Sequence, residues 1–183
     1  MPDPSITLKS IFDGWDGFQT SIVHAVEPLT PAQLAFRPAP HLRSVGETAG
    51  HIALGRIGWF ARMDAPRSRD LQAQAAGLEL PGGNIDPAMA GDVSLILHWL
   101  GATWEMIAVT LESWTTADLF KTYRHTYWDK VYAVSYQWTI WRILTHDVQH
   151  GGQLALLLGM QGLSVPELGD LGGHLTQPPV VNE

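Results

Sequence analysis

Cysteine is absent from the 183 residues. Disulfides, thiolate-bound zinc and a thiol nucleophile on the chain are thereby excluded, so any thiol chemistry needs a thiol brought in as a co-substrate. Basic residues are scarce as well. Eleven Lys and Arg against 18 Asp and Glu leave a formal net charge of -7, which argues against nucleic acid or an anionic membrane surface as a partner. No apolar run approaches the roughly 18 residues that span a bilayer. The start, Met1 to Ser10, lacks the basic and apolar stretches of a secretory signal, and the expected location is the cytoplasm. What is present suits an ordinary folded unit: 45% hydrophobic and 16% charged residues can bury one sizeable core, and the length predicts a single domain over residues 1–183.

Apolar periodicity predicts four long helices, an all-α four-helix bundle. The first runs from about Ser5 to Pro28, with Ile11, Trp15, Phe18, Ile22 and Val26 on one face and His24 on the solvated side. The second opens at Ser44, where Ser44 and Glu47 form a capping-box pattern. Val45, Ala49, Ile52, Trp59, Phe60 and Met63 make its apolar arc, which stops near Asp64-Ala65-Pro66. Residues 66–86 read as an irregular crossover rich in turn residues. Asp86-Pro87 reads as an N-cap with proline in the first helical position, opening a third helix that reaches Trp114. Ile96, Leu100, Thr103, Ile107 and Leu111 form its inner face, and His98, Glu105 and Glu112 lie outside it. Thr122 to Val134, aromatic and β-branched around Asp129-Lys130, predicts a small hairpin, with His125 at the surface. The last helix, about Ser135 to Met160, is apolar nearly all round and needs cover on several sides, in part from a partner subunit. The eight tryptophans are assigned mainly to core and interface, with Trp138 and Trp141 at a dimer contact. Leu29 to Leu34 and Trp114 to Leu119 echo each other, each before a helix carrying histidines.

His146 and His150 stand four residues apart in the last helix. That spacing puts both imidazoles on one side, about 6 Å apart at Cβ, where they can share an ion. Arg142, Gln149 and Gln153 extend the same polar strip, and buried polar strips line clefts. The spacing alone is equally compatible with a solvent face carrying idle histidines. His51 on the second helix is the candidate third ligand. It shares a strip with Glu47, Gly55, Gly58 and Arg62, and the two glycines predict a close approach of backbone, ligand or cavity. Glu47 is a candidate fourth ligand or base, although the capping box accounts for it without any metal.

The second helix's Ser-Val-Gly-Glu-Thr-Ala-Gly-His51-Ile-Ala and the last helix's Thr145-His146-Asp147-Val148-Gln149-His150-Gly151-Gly152-Gln153-Leu154 resemble the DinB-like (DinB/YfiT-like) superfamily. The histidine pair followed by Gly-Gln is the most specific part. Gly159-Met160-Gln161-Gly162 and Leu29 to Leu34 fit as well, and the resemblance spans the whole chain in order. It implies an up-down-down-up bundle with a long connection between helices two and three, homodimers in many members, and a metal site at His51, His146 and His150. Characterised relatives include S-transferases using bacillithiol or similar thiols and mycothiol-dependent isomerases. Many members have no known reaction.

Three neutral imidazoles leave a coordination position open, as catalytic sites do, for water or a substrate thiol. The catalytic group itself is then metal-bound water or thiol, with Gln153 a candidate orienter and Arg62 and Arg142 candidate anion binders. The expected function is a metal-dependent enzyme transferring a low-molecular-weight thiol to a small-molecule electrophile. The rivals are a hydrolase using metal-bound water and a non-catalytic, dimeric metal-binding stress protein. The donor set suits zinc, nickel, iron or copper, and the expected partners are small molecules and a second copy of the chain.

Overall fold

A computed structural model describes residues 6–165. Four long helices, α1 (Trp15–Val26), α3 (Val45–Arg62), α6 (Val93–Ser113) and α7 (Tyr136–Gly159), dominate it. Three short ones, α2 (Pro31–Ala35), α4 (Ser68–Gln74) and α5 (Pro87–Ala90), lie between them. The strands form two antiparallel hairpins, β1 (Glu79–Leu80) with β2 (Asn84–Ile85) and β3 (Thr122–Tyr127) with β4 (Lys130–Ser135). The protein is thus mostly helical, with small strands.

Local chemistry sets most of these boundaries. Ser44 and Glu47 form the expected capping box: the Glu47 backbone N–H donates to Ser44 Oγ at 3.1 Å and the Ser44 N–H to Glu47 Oε2 at 2.6 Å, satisfying donors at the start of α3. Ser135 caps α7 by accepting from the Trp138 N–H. The echoed segments share one device, since the N–H groups of Thr30 and Thr115 each donate at 2.8 Å to a side chain three residues on, Gln33 and Asp118. The β3–β4 hairpin closes through a two-residue turn at Trp128 and Asp129, with Trp128 at φ 55.

Three expectations are corrected. The first helix begins at Trp15, not near Ser5, which lies outside the described residues. Leu8–Ser10 is a 3-10 turn, Gly14 is left-handed at φ 93, and the Leu8 N–H donates to the Trp114 carbonyl at 2.9 Å. Tying this segment to the end of α6 takes its backbone out of any helix and leaves Ile11 exposed. The third helix is split: Asp86 caps only α5, and Asp92 accepts from the N–H groups of Ser94 and Leu95 at 2.8 and 3.2 Å to start α6 afresh. The break lets α5 lie on α3, where a Cβ on Gly46 would stand 1.9 Å from the Ala90 carbonyl oxygen. The crossover is not structureless, because α4 buries Ser68 and Leu71 within it.

α3 packs against both α6 and α7, and α1 closes against the same two helices. The core between them holds Trp15, Phe18 and Ile22 of α1, Ile52, Ile57 and Phe60 of α3, the predicted Ile96, Leu100, Ile107 and Leu111 of α6, and Ile140, Ile143 and Leu154 of α7. α6 is long and apolar enough to cross a membrane by length and composition, with a mean hydropathy of 1.3 and 39% of that stretch buried, and its inner face packs against α1 and α3. α7 keeps apolar residues on its outer side, with Trp141, Val148 and Leu156 exposed. Of the tryptophans, Trp15 and Trp99 are buried, Trp59 is half-buried and Trp128 is 85% exposed. The core assignment therefore holds for only part of the set.

Candidate metal centre

α3 and α7 meet along a seam, and the three predicted histidines converge on it. His51 comes from the second turn of α3, and His146 and His150 come from successive turns of α7. Their ring centroids are 4.5 to 4.9 Å apart, and one ligand atom from each lies within 4.8 Å of the others. Close approach of the helices needs the predicted glycine: a Cβ on Gly55 would stand 3.0 Å from His146 Cε1. His24 and His98 are exposed, as their spacing implies.

Neighbouring side chains orient two of the rings. Gln153 Oε1 lies 2.7 Å from His150 Nδ1, so Nδ1 carries the proton and Nε2 offers a lone pair. Asp147 Oδ1 lies 3.4 Å from His146 Nδ1, a longer contact with the same polarity. Carboxylates and amides behind histidines play this part in metal sites generally. His146 Nε2 and His51 Nε2 are 3.2 Å apart, and two nitrogens bound to one tetrahedral ion at about 2.0 Å are separated by about 3.3 Å.

The donor set fits a divalent ion. With His146 Nδ1 protonated toward Asp147, its Nε2 lone pair faces the His51 ring. Were His51 to donate there from Nε2, its buried Nδ1 would be a bare acceptor, and Nδ1 lacks a well-formed hydrogen bond, lying only beside the Gly83 backbone. Were His51 to present a lone pair instead, two lone pairs would oppose each other at contact distance unless a cation lay between them. The electrostatics favour neutral rings at His51 and His150. Burial, then the charge of Arg43, then the other two histidines push the His51 pKa down to about 3. Burial lowers that of His150 also, against the opposing pull of Gln153. Neutral imidazole is the form that binds metal.

Glu47 is committed elsewhere. Besides the cap it pairs with Arg37 at 2.8 Å. Although burial works the other way, the Ser44 N–H and the Arg37 guanidinium hold its carboxyl below the usual range. Its carboxylate is thus engaged by the cap and by Arg37, and Glu47 is not part of the converging group of His51, His146 and His150. Arg62 and Arg142 stand farther along the seam, both over the Trp59 ring at 4.7 and 4.6 Å. His125, expected at the surface, is half-buried with its ring 5.2 Å from that of Trp59, because the β3–β4 hairpin folds back against the seam.

Sequence reasoning missed the support beneath the histidines. Arg56 and Asp147 are fully buried and paired. Arg56 Nη2 lies 2.8 Å from Asp147 Oδ2, and Nε donates to the same oxygen at 3.0 Å. Nη2 also donates to Gln19 Oε1 at 2.8 Å, and Trp15 Nε1 donates to Asp147 Oδ2 at 3.1 Å. The signal was available. Arg56 falls four residues after Ile52 and four before Phe60, inside an apolar arc, and Asp147 falls likewise between Ile143 and Gly151. Opposite charges on the buried arcs of two helices announce a buried ion pair. Arg43, whose charge bears on His51 and which donates to the Gly83 carbonyl at 3.0 Å, carried no such signal.

A mostly helical protein with three histidines that could hold a metal ion on one helical seam is the class that fold and site define. Residues 15–154 match the DinB superfamily, and the chain belongs to that superfamily. A crystal structure of a DinB-like protein from Bacillus cereus ATCC 10987 has the same fold, with a TM-score of 0.63 at 19% identity over 88% of this chain and 97% of that one. No curated protein matches the chain.

Proposed function

We propose that the chain is a metal-dependent enzyme that transfers a low-molecular-weight thiol to a small-molecule electrophile, with His51, His146 and His150 as the metal ligands. The observation that carries this reading is the 3.2 Å approach of two Nε2 atoms from different helices, beside a third ring turned by Gln153 to offer its own Nε2. A divalent ion held there, zinc, nickel or iron, would supply Lewis acidity that lowers the pKa of a thiol reaching it. The chain's own part is to keep His51 and His150 neutral, aim the lone pairs and carry the site on two packed helices rather than on loops. The lack of cysteine favours a thiol that arrives from outside.

The same reading takes the chain as one domain whose four long helices run up-down-down-up, acting in the cytoplasm where small thiols stay reduced. It takes the assembly as a homodimer joined through the outer face of α7, since exposed apolar stretches such as that of Trp141, Val148 and Leu156 mark interfaces. Elemental analysis of tag-free protein beside its His146→Ala variant tests the ligand assignment. The variant is expected to stay folded and lose the metal, and full metal content in it refutes the assignment. Turnover of 1-chloro-2,4-dinitrobenzene that requires both metal and added thiol supports transfer, whereas turnover with water alone overturns it.

A further inference from the structure

Beyond the histidines, the seam between α3 and α7 widens under the β3–β4 hairpin into an open-sided cavity of about 690 Å³, within the range that takes small molecules. We propose that this cavity binds an organic anion with a flat apolar body, its charge held by Arg62 and Arg142 and its body set against Trp138, Tyr127 and Tyr132 of the lining.

The side chains are arranged for that task. Arg142 lies over two indoles, 4.6 Å from the Trp59 centroid and 5.5 Å from that of Trp138, and Arg62 lies 4.7 Å from Trp59. Stacking engages the face of a guanidinium and leaves its N–H edge free, the edge that grips a carboxylate or phosphate in bidentate fashion. Among the described residues neither arginine pairs with an acid. Arg62 gives one hydrogen bond to the Gly58 carbonyl at 2.7 Å, and among the described residues no Asp or Glu lines the cavity. In a chain of net charge -7, two like charges gathered with no counter-charge among the described residues cost free energy that an anionic ligand would recover. The influence of the two arginines reaches His125, whose pKa is lowered first by burial and then by both guanidinium charges.

Position ties the cavity to the histidines. Arg142 precedes the ligand His146 by four residues, one helical turn or about 6 Å along α7, and Trp59 follows by four residues Gly55, which lies against the His146 ring. As a statement about substrate, the proposal rests on the metal centre being the reaction site. As a statement about binding it does not, and the two can fail separately.

The test is titration of the full chain with 1-naphthoate and with neutral naphthalene-1-carboxamide, read by quenching of tryptophan fluorescence. Saturable binding of naphthoate is expected, about tenfold or more tighter than the amide, because hydrogen bonds to a charged group are the stronger ones. The Arg62→Gln/Arg142→Gln variant, checked by circular dichroism for an unchanged melt, is expected to lose that preference. The His146→Ala variant is expected to keep it, which separates this site from the metal reading. Equal affinity for acid and amide, no saturable binding of naphthoate, or a preference that survives the double substitution in a folded protein would each overturn the proposal.

Discussion

Replacing Arg56 with methionine strips the Asp147 carboxylate of its guanidinium contacts at 2.8 and 3.0 Å and leaves it sealed in the core with the Trp15 N–H at 3.1 Å and the longer His146 Nδ1 contact at 3.4 Å. Both members of the pair have no exposed side-chain surface, so solvent does not take over the lost bonds. Removing one partner of a buried ion pair costs about 3–5 kcal/mol, a large share of the roughly 5–15 kcal/mol that holds a domain together. For a chain of this size the melting temperature should fall by about 6–20 °C. Asp147→Ala should cost a similar amount, because it strands the guanidinium instead. The double variant should cost little more than either single one, since the second substitution removes the charge that the first left unpaired. Urea unfolding of the four proteins at pH 7, followed by far-ultraviolet circular dichroism, gives the coupling free energy directly. About 3 kcal/mol is expected. Additive losses would show that the two side chains do not depend on each other and would refute the pairing.

Gln153→Ala should weaken metal binding about 10–100-fold with the three ligands intact, measured by competition with a chromophoric chelator. Gly55→Ala should also weaken it while the helix survives, because the added methyl would press on His146 at 3.0 Å, and unchanged affinity would show that the ring has room to yield. Ser44→Ala should cost about 1 kcal/mol in urea unfolding and leave metal content unchanged, since the cap and His51 lie on different turns of α3. Stability of the metal-free chain should fall as pH drops below about 6.5. There the unfolded chain protonates His51, while the folded one resists protonation down to about pH 3, so the unfolded state binds more protons throughout that window. His51→Gln should flatten the slope between pH 7 and 5, and an equally steep slope in that variant would assign the effect to other groups.

Much of the fold is legible along the chain because its causes are local. The capping box at Ser44, the Ser135 cap and the inner face from Ile96 to Leu111 each arise within a few residues through the 3.6-residue repeat and backbone donors at helix ends. The Asp92 cap that splits the third helix is equally local, but the Asp86-Pro87 pair six residues earlier offers a start of the same quality, and only the contact of Gly46 with Ala90 explains why both are used. The hairpin was visible in its aromatic and β-branched run. Its docking against Trp59, which leaves His125 half-buried, was not.

The candidate site divides along the same line. By itself the amino-acid order determined that His146 and His150 share one side of a helix, that His51 lies beside Gly55, and that no thiol comes from the chain. Tertiary structure alone decided that the His51 ring meets the other two, that Arg56 finds Asp147, and that two arginines gather on one tryptophan. The reason is geometric: periodicity sets which way a side chain points from its own helix axis, whereas its partner depends on the rotation and register of two helices, which every core side chain sets together.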